Sequence, residues 1–505
     1  MVASGSGDAD AMSVSKGVTV EVAEQIMSDD GRVYLMPTPT TDPADPLNWS
    51  PLRKWAVLLL LLVWSAVALT TQSFLSNFVP SLEARFPDAS PNEINLLMTV
   101  IVPMIAPGQL IFVGIALYWG RRSSILLANM LLIASSAWAA CSTSYKSLLG
   151  ARIIEGLAGG PTDALLYTVI QEFTFAHERG AKLGAMIMGQ QGLTLVLAIG
   201  TNYMAVNMGF QWPFIIVTII SACTLVGLFF LMPETRFRGH RDAEDNNTKI
   251  AVSEHKAFRQ MINQSGEFPP FTWRRQLSLF GDRYDTRGPD TVAFAKRIGM
   301  FFFSPITWWC ALLNAVSAGT IIANVGLINI SPTVTSLFNW ILLGWGNDKV
   351  MIYLAKRNGG VSKPEHRLVT LAIPIVIGIC STLGFGALSQ NYLISNPGGH
   401  QAHWMSMMVL YGLLYMYFGG CLEVTYTYMA SVTSASDSLA LMTVVSVIRD
   451  MVSFGMSYGI VGFSEACGYL TSFGIYAMLG GVFGLFAIPV YLFAGRLRRV
   501  TGAEI

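Results

Sequence analysis

Three ionisable side chains stand inside one apolar stretch in the first half of the chain. Residues 148–170, LLGARIIEGLAGGPTDALLYTVI, carry Arg152, Glu155 and Asp163. On an uninterrupted helix all three share one face, because Arg152 and Asp163 differ by only about 20° after full turns. A charge near the centre of a bilayer costs on the order of 3 kcal/mol, so we expect this face to line protein or water rather than lipid.

Two kinds of chemistry fit this face. Arg152 and Glu155 could form a buried structural ion pair, or the face could line a cavity in which a proton or a charged ligand binds. We favour the cavity, with Arg152 as a lining residue and Glu155 and Asp163 as candidates for proton coupling. Asp163 lies about 16 Å further along the helix, so we expect it to lack Arg152 as a partner.

The second half of the chain has intramembrane charges of its own, namely Glu423, Arg449 and Asp450. Adjacent residues point about 100° apart on a helix, so Arg449 and Asp450 are not expected to face one partner squarely. We place Arg449 in the cavity and treat Asp450 as a third proton-coupling candidate, with a structural role as the alternative. Glu423 lies near the inner end of its span, where a side chain can snorkel towards water.

Amide and aromatic side chains complete the candidate cavity. These candidates are Gln72, Asn77, Gln190, Tyr411 and Tyr415. The two tyrosines are four residues apart and share a helix face. Inside a cavity they would suit amphipathic or cationic organic molecules through stacking and cation–π contacts, whereas outside it they would pack against neighbours or lipid.

The composition indicates a polytopic membrane protein of the all-α class. Hydrophobic residues make up 52% of the 505 residues and charged residues 12%, and the mean hydropathy is +0.50. Apolar runs of about 20 residues, the length that crosses a bilayer as a helix, recur along the chain. The net charge of +1 gives no indication of a nucleic-acid partner. We find no phosphate-binding loop, metal-ligand cluster or nucleophile–base pair, so we predict no cofactor, no metal and no enzymatic activity.

Twelve apolar runs predict twelve transmembrane helices in two halves of six. They lie near 55–77, 95–117, 123–143, 148–170, 184–206, 212–232, 303–324, 327–346, 368–388, 404–428, 440–462 and 470–493. The predicted organisation is a disordered tail (1–54), a first half (55–232), a central loop (233–300), a second half (301–494) and a short tail (495–505). Two equal sets of spans around a polar loop are typical of an internal repeat.

The distribution of Lys and Arg predicts that both termini and the central loop are cytoplasmic. With that orientation the inner segments hold 28 of the 32 basic residues and the outer loops hold two, Arg85 and Lys146. Positive charges concentrate on the cytoplasmic side of membrane proteins.

Charged residues on the inner surface suggest a gate. The candidates are Arg121, Arg122, Glu172, Glu178, Arg179 and Asp348. They could anchor the helix ends in the positive-inside sense, or they could form a charge latch that holds the two halves together. Single surface pairs contribute little, so only a network would act as a gate.

Several motifs resemble those of the major facilitator superfamily, in its fungal branch of drug:proton antiporters and organic-cation transporters. They are DPADPLNWSPLRKW (42–55), RIIEG (152–156), FAHERG (175–180), PETR (233–236), AKRNGGVSKPEHR (355–367), Arg449 and GRLRR (495–499). The chain departs from the pattern in span five, where only Gly200 remains of the antiporter signature. It also has Leu117 and Tyr118 where the loop after span two usually has Asp and Arg.

The resemblance implies a secondary transporter that alternates access to a central site. Its partners would be a small organic substrate, protons and the lipid bilayer, and it would act as a monomer in the plasma membrane. Export of a toxin or secondary metabolite is the leading expectation. Uptake of an organic cation or polyamine is one alternative, and a non-transporting membrane sensor on the same fold is another.

Overall fold

The computed structural model describes residues 24–25, 45–75, 79–236, 289–319, 330–358, 361–391, 403–433 and 435–500. Within these ranges nearly all of the backbone is helical. The strand pairing in the described part is a two-residue antiparallel ladder, in which Glu24 and Gln25 pair with Ser362 and Val361. The all-α prediction is confirmed.

The helices form twelve columns that match the twelve predicted spans. The first half comprises span 1 (Pro51–Ser73), span 2 (Pro91–Thr99 and Ile101–Tyr118), span 3 (Arg121–Cys141), span 4 (Tyr145–Gly159, a 3-10 turn Gly160–Thr162, and Ala164–Glu172), span 5 (Ala176–Met208) and span 6 (Trp212–Leu231). A short helix, Val79–Arg85, connects spans 1 and 2.

The second half repeats the arrangement with more interruptions. It comprises span 7 (Pro289–Phe302 and Pro305–Gly319), span 8 (Ile330–Asn339, a π-helix Trp340–Trp345, and Gly346–Arg357), span 9 (a 3-10 helix Pro364–Leu371 and Ala372–Gln390), span 10 (His403–Val432), span 11 (Ala435–Cys467) and span 12 (Tyr469–Leu485 and Ala487–Val500).

Most of these columns are apolar enough to cross a membrane. In the described part of the chain nine helices meet that requirement, and the bent pair Phe294–Phe302 and Pro305–Ala318 makes a tenth. The other two columns are spans 4 and 8. Span 4 carries the charges described above and a 3-10 turn, and span 8 changes to π-helix at Trp340–Trp345.

Span 1 begins at Pro51, four residues before the predicted boundary at 55. The Ser50 hydroxyl accepts a hydrogen bond from the Arg53 backbone N–H, and proline occupies the first helical position. Both features favour a helix start. Just before this cap the Trp49 ring stacks on Phe173 at 5.9 Å between centroids, which fixes the entry to span 1 against the end of span 4.

The predicted central loop, 233–300, also ends earlier than expected, because span 7 begins at Pro289. Its first helix is bent by 73° relative to the second. Pro305 starts the second helix, and proline lacks the N–H that a continuous helix would need. The first helix is tied to span 11 by an ion pair of 2.5 Å between Arg297 and Asp437.

The two halves meet along spans 2 and 4 of the first half and span 11 of the second, and along span 5 and spans 8 and 10. We call the side of the bundle at which span 1 begins the terminal side. Contacts between spans 5 and 8 extend from Ala181, which accepts a hydrogen bond from Trp340, to Gly192, where a methyl group would lie 2.8 Å from the Ser336 hydroxyl oxygen. Gly192 lies about 24 Å along span 5 from Ala176. The terminal side of the interface is therefore closed.

Glycines bring span 4 against span 2, as the Gly156-x-x-x-Gly160 spacing predicts. A methyl group on Gly156 would lie 2.6 Å from Met104 Cβ and 2.8 Å from the Ile101 carbonyl oxygen. A methyl group on Gly160 would lie 2.3 Å from the Gln109 backbone nitrogen. Neither backbone can move away without separating the helices.

We expect Gly156→Ala to destabilise the first half by about 1–3 kcal/mol, the usual range for overpacking. Gly114→Ala in span 2 is the matched control, because a methyl group there meets nothing within 4 Å. Thermal unfolding of the detergent-solubilised protein measures both. Equal unfolding temperatures for the two variants would contradict the close-packing interpretation.

Candidate functional site

A cluster of charges joins the two halves near the middle of the bundle. The Arg449 guanidinium donates to Asp450 Oδ1 at 2.9 Å from Nε and 2.7 Å from Nη2. The same Nη2 atom also forms an ion pair with Asp163 Oδ2 of the first half. Gln109 of span 2 donates to Asp450 Oδ2 at 3.4 Å. Arg449 lies about 21 Å from the start of span 11 at Ala435, which is close to the midplane of a bilayer.

The break in span 4 gives Asp163 its position. Gly160, Pro161 and Thr162 form a 3-10 turn, and Asp163 itself has φ −103° and ψ −86°, outside the helical region. The uninterrupted face shared with Arg152 therefore ends at this turn. Asp163 points to span 11 instead, where it meets Arg449.

Helix geometry within one span did not predict how this cluster forms. Asp163 lacks Arg152 as a partner, as expected, but it pairs with Arg449, 286 positions further along the chain. Arg449 and Asp450 do not face one partner squarely, since Arg449 donates to Asp163 and Gln109 donates to Asp450. The long Arg449 side chain reaches back to its neighbour's carboxylate and forward to Asp163, so the three groups form one cluster.

Arg152 and Glu155 form a structural ion pair inside the first half, not a cavity surface. Both side chains are completely buried and lie 2.8 Å apart. Arg152 also donates to the carbonyl oxygens of Thr71 at 2.6 Å and Leu97 at 3.3 Å, and Glu155 accepts from Ser136 at 3.0 Å. The pair thereby joins spans 1, 2, 3 and 4. This placement corrects the cavity prediction for Arg152, and the coupling role of Glu155 stays a prediction.

An aromatic pair crosses the interface beside the charge cluster. The rings of Tyr167 in span 4 and Tyr426 in span 10 meet edge to face, 4.8 Å apart between centroids. The Tyr167 hydroxyl donates to Gln190 Oε1 at 3.1 Å, and the Tyr426 hydroxyl shares a hydrogen bond with Ser446 at 3.1 Å. The site therefore combines a charge cluster with an aromatic wall.

Three glutamines of the first half each have one buried polar atom without a hydrogen-bond partner among the described residues. They are Gln72 Nε2, Gln109 Oε1 and Gln190 Nε2. Gln72 lies against span 4, where a methyl group on Gly159 would be 3.3 Å from its Nε2. Since buried polar groups are normally paired, these atoms are available to a ligand. Asn77, another predicted cavity residue, lies outside the described residues.

Tyr411 and Tyr415 pack inside the second half. Their rings contact each other at 5.2 Å, and they belong to an apolar cluster with Phe385 of span 9 and Phe473 of span 12. The shared face that the spacing predicts is present, but it turns towards spans 9 and 12. The structure therefore does not bring these tyrosines to the charge cluster.

The arginines predicted to latch the two halves are tied within the first half instead. Arg121 Nε donates to Glu172 Oε1 at 3.1 Å, and Thr235 donates to the other oxygen of Glu172 at 2.6 Å. The Glu234 carboxylate accepts the backbone N–H groups of Arg121 and Arg122 at 2.9 and 3.2 Å. These contacts join the terminal-side ends of spans 3, 4 and 6.

The Glu234 carboxylate packs against Gly120, which has a φ of +106°. Only glycine adopts such a φ readily. A methyl group on Gly120 would lie 2.3 Å from Glu234 Oε2. Burial raises the pKa of the Glu234 carboxyl, while the N–H groups of Arg236 and Arg121 act in the opposite direction. The motif PETR is thus part of the hydrogen-bond network around Arg121 and Glu172. Its glutamate was not among the gate residues predicted from the sequence.

A second set of terminal-side contacts does join the halves. Asp348 Oδ2 in span 8 accepts the Ala181 backbone N–H of span 5 at 2.7 Å, and Asp348 Oδ1 accepts from Arg367 at 3.2 Å. Arg179 donates to the Ala430 carbonyl oxygen at 3.0 Å. Glu178 pairs with Lys182, one turn further on its own helix. Of the predicted gate residues, Asp348 and Arg179 therefore bridge the interface.

Comparison with known proteins decides the family. The family model described as Major Facilitator Superfamily matches residues 55–461, well over half of the chain. The chain belongs to this superfamily. Its members are carriers rather than enzymes, and the twelve helical columns in two halves are the fold expected of them.

Relatives within the Major Facilitator Superfamily are distant in sequence. An uncharacterized MFS-type transporter of Schizosaccharomyces pombe is 23% identical, over 95% of this chain and 90% of that protein. The efflux pump radE of Floropilus chiversii is 24% identical, over 65% of this chain and 61% of that protein. The solved structure of the proton:xylose symporter XylE from E. coli superposes with a TM-score of 0.55 at 16% identity, covering 87% of this chain and 96% of XylE.

Several site residues of this superfamily member were not among the sequence candidates. Tyr167, Gln109 and Tyr426 lie in apolar runs where no charge of their own and no spacing distinguishes them, so only their contacts identify them. Three partner residues of the ion-pair networks, Ser136, Glu234 and Arg367, come from elements other than those of their partners. Among the described residues no group of three or more His, Cys, Asp or Glu side chains could hold a metal ion.

Proposed function

We propose that this protein is a proton-coupled secondary transporter that exports a small organic molecule across the plasma membrane. The observation that carries the proposal is the Asp163–Arg449–Asp450 cluster, because it joins the two halves at the centre of the fold. Alternating access requires the halves to move against each other around such a central site.

The charge balance of the cluster suits proton binding. Two carboxylates share one guanidinium, so the fully ionised cluster has a net charge of −1 in a buried setting. Uptake of one proton makes the cluster neutral. It also converts one acceptor carboxylate into a weaker partner for Arg449, which loosens the bond between the halves.

This sequence of events links the proton to movement. While both aspartates are ionised, Arg449 holds span 11 to span 4 through Asp163. Protonation of Asp163 releases that contact and favours separation of the halves on the terminal side. Protonation of Asp450 leaves Arg449 free to bind Asp163 alone. A proton on Asp163 therefore weakens the Arg449–Asp163 ion pair between the halves, whereas a proton on Asp450 preserves it.

The groups beside the cluster suit an organic cargo with polar and aromatic character. Tyr167 and Tyr426 offer ring faces and edges, and Gln72 Nε2, Gln109 Oε1 and Gln190 Nε2 have no partner among the described residues. Aromatic rings bind organic cations by cation–π contacts. The net negative charge of the ionised cluster favours the same class of cargo.

Export is proposed because a relative is named as an efflux pump. In the orientation that the distribution of Lys and Arg predicts, both termini and the terminal side of the bundle are cytoplasmic. We propose that the protein acts as a monomer. Uptake of an organic cation or polyamine remains the alternative, since the same cluster would bind such a cation from either side. The organisation of the central cluster favours transport over a non-transporting sensor.

The test is flux in proteoliposomes with an imposed pH gradient, with ethidium, tetraphenylphosphonium and spermidine as probes. We expect gradient-driven movement of at least one probe by the wild type. Asp163→Asn and Asp450→Asn should each reduce gradient-driven flux at least tenfold and leave folding intact, because asparagine matches the size of the protonated carboxyl and keeps one acceptor oxygen for Arg449. Full gradient dependence in both variants would contradict the proposal, and spermidine movement directed inwards would favour uptake.

A further inference from the structure

Glu423 of span 10 is a buried carboxyl that the central cluster does not use. Its side chain has no exposed surface, and in the part of the chain that the structure describes neither carboxyl oxygen has a hydrogen-bond partner. The expectation that it snorkels to water is therefore wrong. It lies about 14 Å from the terminal-side end of its helix at Val432, inside the closed part of the interface.

Two glycines enclose the carboxyl, one from each half of the protein. A methyl group on Gly184 of span 5 would lie 2.2 Å from Glu423 Oε1, and one on Gly344 of span 8 would lie 2.9 Å from the same oxygen. The two glycines also approach each other, since a methyl on Gly344 would be 3.5 Å from the Gly184 Cα. The carboxyl is thus sealed at the point where the halves close.

Among the described residues, the charged groups around Glu423 do not provide it with an ion pair. Asp348 of span 8 and Arg367 at the start of span 9 act on it electrostatically, with opposite signs. Arg367 is already bonded to Asp348 at 3.2 Å. On span 5 the nearest cation along the chain is Lys182, which pairs with Glu178 at 2.5 Å. An ionised carboxylate in this position would be shut off from bulk solvent and would have no donor among the described residues, which is strongly unfavourable.

We propose that Glu423 is a second proton-binding site, which holds a proton while the terminal side is closed and releases it when the halves part. Separation of span 5 from span 8 removes the Gly184 wall and admits water to the carboxyl. The inference rests on the alternating access of the proposed function, but not on the proton route through Asp163 and Asp450.

The two proton sites act in opposite directions. A proton on Glu423 favours the closed terminal side, whereas a proton on Asp163 loosens the central bridge. Because Glu423 reaches water only through the terminal-side opening, the pH of that compartment controls the closure. In the pH range where the Glu423 carboxyl is ionised in the open state and neutral in the closed state, the ratio of closed to open molecules should fall about tenfold per unit rise in pH.

The distance between the terminal ends of the two halves tests this proposal. Spin labels are placed at Tyr118, at the end of span 2, and at Tyr353, at the end of span 8, both of which are largely exposed. The four exposed cysteines, Cys141, Cys223, Cys380 and Cys467, are replaced first, and the buried Cys310 and Cys421 are kept. Electron paramagnetic resonance then measures the distance distribution in lipid nanodiscs between pH 5 and pH 9.

The wild type should shift from a short to a long distance as the pH rises. Glu423→Gln, which resembles the protonated acid in size and charge, should keep the short distance throughout. Gly184→Ala should favour the long distance at every pH, because its methyl group prevents closure onto Glu423. Gly200→Ala on the same helix is the control, since a methyl group there meets nothing within 4 Å, and it should behave as the wild type.

A wild type whose distance does not respond to pH, or a Glu423→Gln variant that responds as the wild type does, would overturn the inference. Asp450→Asn distinguishes the inference about Glu423 from the proposed function. This variant should lose gradient-driven flux and retain the pH-dependent distance between the spin labels. If the distance responds through Glu423 while the wild type shows no gradient-driven flux, the second proton site stands and only the proposed function fails.

Discussion

Replacement of Arg449 with methionine is expected to abolish gradient-driven transport and to weaken the contact between the halves. The variant leaves Asp163 and Asp450 in place without the guanidinium that both of them bind. Removing one partner of a buried ion pair typically costs about 3–5 kcal/mol, because the remaining charge is uncompensated. Flux in proteoliposomes and the thermal unfolding temperature measure the two effects.

Two further variants make the result specific to the cluster. Arg449→Lys keeps the charge but loses the fork that reaches both aspartates, so it should retain only part of the transport. Lys182→Met removes a cation whose partner, Glu178, has a side chain that is 41% exposed, and exposed pairs contribute about 1 kcal/mol or less. Transport by Arg449→Met at the wild-type rate would remove Arg449 from the mechanism.

The helical framework follows from the sequence because the bilayer imposes it. A segment of about 20 apolar residues satisfies its backbone hydrogen bonds internally only as a helix. Hydropathy therefore predicts the number and order of the columns. It does not predict where a column breaks, and the 3-10 turn at Gly160–Thr162 and the π-helix at Trp340–Trp345 interrupt two of them.

Local pairs in the site could be predicted, and remote ones could not. Arg152 and Glu155 are three residues apart on one helix, so their contact follows from helix geometry. The partner of Asp163 is in the other half of the chain, and the turn in span 4 decides which way the carboxyl points. No periodicity within span 4 carries that information.

Spacing along the sequence predicts which residues share a helix face, but it does not predict which helix that face packs against. Tyr411 and Tyr415 share a face as their spacing predicts, but this face packs on spans 9 and 12. Glu423 shows the same limit, because its depth along span 10 suggested access to water. The approach of Gly184 and Gly344 from two different helices seals it, and contacts of that kind depend on tertiary packing.

Glu155→Gln is expected to destabilise the protein far more than Asp163→Asn. Glutamine cannot compensate the charge of Arg152, which is completely buried. Arg152 would keep its bonds to the Thr71 and Leu97 carbonyl oxygens but would lose its counter-ion. The expected destabilisation is about 3–5 kcal/mol, with a matching fall in the amount of folded protein in the membrane.

The double variant Arg152→Met with Glu155→Leu separates charge from packing. It removes both charges at once, and replacement of a whole buried pair by apolar residues of similar size is often neutral. We therefore expect the double variant to be more stable than Glu155→Gln alone, which unfolding followed by size-exclusion chromatography would measure. Equal stability of Glu155→Gln and the wild type would mean that the pair does not hold spans 1 to 4 together. The cavity interpretation of Arg152 would then return, because a residue that is dispensable for folding yet buried in the membrane needs a functional reason to be there.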